Sequence, residues 1–126
     1  MPISWPAGAE EDRQAAVKSL RSAAEMATKA RQAAGLERSA LMSLCRQQLG
    51  DAAIRVDHGR AYNGGYADRW APETKTRAEL AELSISYARE RISDARNAED
   101  PALASALLAE VAALCADVVL ILTRVA

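Results

Sequence analysis

From Ala102 to Ala126 the chain carries three charged residues, Glu110, Asp117 and Arg124, and they recur every seven positions. Seven residues are nearly two helical turns, so the three share one narrow stripe. Apart from Ser105 and Thr123, every other position in the stretch is apolar. A helix that is apolar over most of its circumference is a central core helix, an interface or a membrane span. Glu110 and Asp117 would both sit well inside a span, where an acidic residue costs about 2.5–3.5 kcal/mol. A core helix is the better reading. Its apolar surface exceeds what a four-helix bundle covers, which predicts a homodimer through this helix or a groove for another protein.

The rest of the chain follows the same helical spacing. Glu10, Glu11 and Asp12 suit the first turn of a helix from Ala9 to Ala34, where carboxylates complement the helix dipole. Its stripe is nearly all alanine: Ala16, Leu20, Ala23, Ala24, Ala27, Ala30 and Ala34. Glu25 and Lys29 form a favourable i,i+4 pair. Gly35 predicts a break. A second helix follows from Leu36 to Leu49, with Leu36, Ala40, Leu41, Leu44, Cys45 and Leu49 on its stripe and Asp51–Arg55 as an optional last turn. Thr76–Glu79 reads as a capping box opening a third helix, whose stripe is Leu80, Leu83, Tyr87, Ala88, Ile92 and Ala95. Asp100-Pro101 is an N-cap followed by proline at the first helical position, and it opens the fourth helix.

These elements predict an all-α fold. The chain reads as a single domain of 126 residues, an antiparallel bundle of about four helices with one long ordered loop between helices 2 and 3. MPISWPAG is an irregular lead-in without the features of a signal peptide. Half of the residues are hydrophobic and only 4% aromatic, so the core is aliphatic. A net charge of −1 argues against a general nucleic-acid or membrane-surface binder. Cys45 and Cys115 sit among apolar neighbours and read as buried, reduced thiols of a cytoplasmic protein.

Residues 51–75 differ from their surroundings. Tyr62, Tyr66 and Trp70 supply three of the five aromatic side chains, and Asn63-Gly64-Gly65 signals a turn. Between positions 55 and 77, Arg55, Arg60, Arg69, Lys75 and Arg77 outnumber Asp57, Asp68 and Glu73. Tyr, Trp and Arg are the residues that concentrate binding energy at protein interfaces; the same rings could instead close the bundle end or stack nucleic-acid bases. The candidate binding residues are Arg60, Tyr62, Tyr66, Arg69 and Trp70.

No catalytic residue, metal set or cofactor motif is legible. His58 is the only histidine, and two separated cysteines do not complete a metal-ligand pattern. There is no Gly-rich phosphate loop. Glu79-x-x-Glu82 could hold Mg²⁺ in a nucleotide hydrolase, but the position three after Glu110 is Ala113, so a second acidic pair is missing. The expectation is a small protein–protein interaction module, an inhibitor, adaptor or assembly subunit. A Mg²⁺-dependent nucleotide hydrolase and a nucleic-acid-binding bundle are the alternatives.

Overall fold

Four stretches of the chain place a small or apolar residue every three or four positions, and each forms a helix. α1 spans Glu10–Gln32, α2 Gly35–Ala61, α3 Pro72–Asn97 and α4 Pro101–Thr123. The computed structural model describes residues 10–61 and 72–123, with side chains for 10–57 and 76–123; no strand occurs among the described residues. The lead-in with Trp5, and Arg124, lie outside them.

Short links at 33–34 and 98–100 make α1/α2 and α3/α4 antiparallel hairpins. The hairpins close into a ring, α1 packing on α2 and α4, and α3 on the same two. Arg13 of α1 donates to the Leu122 carbonyl at 3.2 Å, and Arg31 to the Ser105 hydroxyl at 3.2 Å. Those two contacts fix α1 and α4 as antiparallel over their whole length.

The core is built from alternating three- and four-residue steps on every helix, the spacing of a coiled-coil seam. α1 contributes Ala16, Leu20, Ala23, Ala27 and Ala30, and α2 contributes Met42, Cys45, Leu49, Ala52 and Val56. α3 supplies Ala78, Ala81, Ile85, Ala88, Ile92 and Ala95. α4 supplies Ala104, Leu108, Val111, Cys115, Val118 and Leu122. Alanines let the helix axes approach closely but bury little area each, so stability depends on the few bulky side chains between them.

Two of the expected stripes are right in part: Cys45 and Leu49 of α2, and Ala88, Ile92 and Ala95 of α3, are buried as expected, and the remaining large residues are not. On α2, Leu36 is 90% exposed and Leu44 is also exposed, while Met42, Ala52 and Val56 are buried. On α3, Leu80, Leu83 and Tyr87 face outward, and Ala81 and Ile85 between them face the core. The reason lies further along each helix. Continued at the same spacing, the Leu80–Leu83–Tyr87 stripe meets Glu90, Arg91 and Asp94, and the Leu36–Leu44 stripe meets Gln47, Gln48 and Asp51. Only the seams that stay apolar to the helix end can be buried throughout. The expected loop at 51–75 is also too long, since α2 continues to Ala61 and α3 begins at Pro72. Thr76 therefore lies inside α3 and opens no helix. Proline suits that first helical position because its missing N–H would have had no intrahelical partner.

Several local features match the sequence. Asp100 Oδ1 accepts from the Ala102 N–H at 3.0 Å, and its carbonyl accepts from the Ala104 N–H at 3.0 Å. Lys29 and Glu25 pair at 3.0 Å. Arg13 pairs with Glu10 and, through that hydrogen bond, holds the Glu10 carboxyl below its ordinary range. Gly35 has φ +60°, in the left-handed region that side chains resist. Gly35→Val will lower stability by about 1–2 kcal/mol. Gly50 sits mid-helix in α2 with nothing within 4 Å of an added Cβ. Gly50→Ala will therefore raise stability by about 0.5–1 kcal/mol. Urea denaturation of the two variants checks both signs; a loss for both would place the turn elsewhere.

Candidate functional site

The aromatic segment between α2 and α3 joins the end of the bundle where α1 begins and α4 finishes. Tyr62, Tyr66, Arg69 and Trp70 lie outside the described residues; Arg60 falls in the last turn of α2 with its side chain outside them. His58 and Lys75 have only their backbone described. What is described at this end is structural. Asp12 is buried, and Arg55 Nη1 meets its Oδ1 at 3.0 Å. Arg55 therefore ties α2 to α1, so the cation excess of the segment is smaller than the sequence implies.

Apolar side chains in water form the clearest feature of the described surface. On α3, Leu80 is 49% exposed, Leu83 70% and Tyr87 39%, at spacings of three and four that place them on one face. Tyr87 is fixed there. Arg91 Nη2 donates to its hydroxyl at 2.6 Å, and the guanidinium carbon lies 4.5 Å from the ring centroid. The same guanidinium pairs with Asp94 at 3.0 Å and reaches Glu110 of α4 at 3.5 Å. A phenol held in this way keeps its ring edge available without a rotamer to lose on binding.

α4 is exposed at Leu103 and Leu120. Beside Leu120 a groove of about 380 Å³ opens between α1 and α4, lined by Leu20, Ala24, Cys115, Ala116 and Val119, with Arg21 at its rim. Among the described residues α4 is the one helix long and apolar enough to cross a membrane by length and composition. Two other grooves have a mixed polar and apolar lining, and the second includes the exposed Ile54 of α2. One, of about 440 Å³, runs between Arg46 of α2 and Ser86, Arg89, Glu90, Ser93 and Asp94 of α3. The other, of about 640 Å³, lies between α1 and α2 around Lys18, Ser22, Gln48 and Asp51. Each mixes both charge signs.

Glu79 and Glu82 lie one turn apart on α3, but among the described residues no group of three or more His, Cys, Asp or Glu is placed to hold a metal ion. Cys45 and Cys115 are both free and buried. Cys45 donates to the Ala23 carbonyl at 3.3 Å. Burial pushes each thiol up to about 12, and the neighbouring Cys45 adds to the shift at Cys115. Thiols of that kind are poor nucleophiles and poor metal ligands.

The sequence reading missed the α3 patch by assigning its leucines to the core. Following each candidate stripe to the helix end, rather than counting leucines, would have found it. No family model matches this chain, and neither does any curated protein or solved structure.

Proposed function

We propose that this chain is a protein–protein interaction module: an inhibitor, adaptor or assembly subunit that acts by binding another protein in a reducing compartment such as the cytoplasm. One observation carries the reading: Leu80, Leu83 and Tyr87 stand on one exposed face of α3 while Ala78, Ala81, Ile85 and Ala88 fill the core behind them. Three large apolar side chains in water, with no local packing to explain them, cost solubility and are recovered when a partner covers them. Arg91 and Tyr87 add the residue types on which interface energy concentrates. Leu80 lies about two turns into α3 from Pro72, and Tyr62, Tyr66, Arg69 and Trp70 precede that helix in the chain as the second set of candidate contacts.

The test is crosslinked affinity capture from the cells that make the protein, comparing wild type with Leu83→Asp and with Trp70→Ala at equal helicity. The expected result is a partner held by wild type and weakened at least about ten-fold by each substitution, as for central interface residues. Equal capture by all three proteins would remove this surface from the proposal.

A further inference from the structure

A second surface, on α4, fits a copy of the chain itself. The inner side of α4 is committed to the core. The opposite side repeats the same three- and four-residue steps through Ala106, Ala109, Ala113, Ala116 and Leu120, all exposed or partly exposed and none charged. Small residues at this spacing let two helices approach to about 8 Å. Leu120 stands beside the groove formed by Leu20, Ala24, Ala116 and Val119. Each copy thus carries both a protruding side chain and a recess at one level.

The charges flanking this seam differ in sign. On the α1 flank, Arg21 and Lys18 line a groove shared with Arg13 and Gln14 of α1 and Thr123 of α4, and Lys18 also borders the groove between α1 and α2. On the α3 flank stands Asp117, two turns beyond Glu110, which Arg91 of α3 holds. Lys18, Arg21 and Asp117 have no ion-pair partner among the described residues. The contacts Arg13–Leu122 and Arg31–Ser105 set the register of α1 against α4. They put Lys18 level with Asp117, and Arg21 within a turn of it.

Two symmetric ways exist to pack this seam on itself. A two-fold axis perpendicular to α4 pairs the helices antiparallel and sets basic flank on basic flank. An axis along α4 pairs them parallel and sets each basic flank against the other copy's acidic flank at the same height. We infer that the protein forms a parallel homodimer through α4, in which Lys18 and Arg21 face Asp117 of the partner subunit and Leu120 enters the groove beside the partner's Leu120. This goes beyond the α3 patch, which stays free for another protein.

Sedimentation of the full chain at micromolar concentration tests it. The expected mass is twice 13.5 kDa. Asp117→Lys alone, and Lys18→Glu with Arg21→Glu, should each weaken the dimer about ten-fold, since two contacts per dimer become repulsive. Combining the three should restore it, a rescue that misfolding cannot give. Ala106→Cys should crosslink to itself, because a parallel axis keeps like residues together. Leu83→Asp should remain dimeric, which separates this proposal from the α3 interface. A monomer at 13.5 kDa overturns it. So does self-crosslinking by Ala113→Cys but not Ala106→Cys, or flotation of the wild-type protein with phosphatidylcholine vesicles, which would assign the face to a bilayer.

Discussion

Between pH 8 and pH 11 the fold will lose roughly 5 kcal/mol through two side chains, Cys45 and Cys115. Both thiols are buried, and burial raises them from an ordinary 9.0 to about 12. A raised value means that the fold binds the proton more tightly than the unfolded chain does. The stabilisation is therefore complete below pH 9 and is lost as the pH climbs from 9 to 12. At pH 11 each thiol is mostly ionised when unfolded and mostly protonated when folded, a difference of about 2–3 kcal/mol apiece. Domains of this size have about 5–15 kcal/mol in total, so alkaline unfolding should begin within that window. Urea midpoints across the range, for wild type and for the Cys45→Ala/Cys115→Ala double variant, isolate the thiols because every other ionisable group is common to both. Parallel pH profiles would mean that the thiols reach water in the folded state. Iodoacetamide at pH 8 gives the same answer by another route, with no labelling expected until the chain unfolds.

Leu108→Ala will cost about 3–5 kcal/mol, whereas Leu103→Ala, one helical turn away, will cost less than about 1 kcal/mol. Leu108 is fully buried and Leu103 is half exposed. The loss is placed near the top of the range because the surroundings cannot collapse to fill the gap. α1 offers only alanines apart from Leu20 along its seam, and an alanine has no rotamer to swing into a cavity. Equal losses at 103 and 108 in urea denaturation would mean that α4 is rotated from the orientation described here, and the α4 dimer would fall with it.

The sequence made some of this architecture legible and hid the rest. Asp100-Pro101 and Gly35 were readable because each acts through the backbone, a cap in one case and a left-handed φ in the other. The phases of α2 and α3 were legible in part: the expected stripes coincide with the core at Cys45, Leu49, Ala88, Ile92 and Ala95, and depart from it where the exposed Leu36, Leu44, Leu80, Leu83 and Tyr87 outrank smaller core residues. The seam built from Ala78, Ala81, Ala88 and Ala95 is the buried one because it is uninterrupted. Asp117 was legible as part of the charged stripe of α4, but its level against Lys18 and Arg21 was not, since that depends on the register of α1 against α4, nearly a hundred residues apart. Arg55 was legible as a cation but not as the partner of Asp12, for the same reason.

The ring has one further consequence, for the order in which it assembles. Each hairpin joins helices that are neighbours in the chain, through links of two or three residues. Those contacts have low sequence separation and form at small entropic cost. The α1–α4 seam is the opposite, tying Arg13 to Leu122 and Arg31 to Ser105 across most of the chain. Closing it costs loop entropy that only two preformed hairpins can offset. Before that step α3 covers only part of the core side of α4, while the rest of that side and the whole outward side are open to water. A hairpin released early would therefore carry both seams of α4 exposed, the core one in part, and the contact from Arg13 to the Leu122 carbonyl marks the moment at which the chain settles which of them is inside.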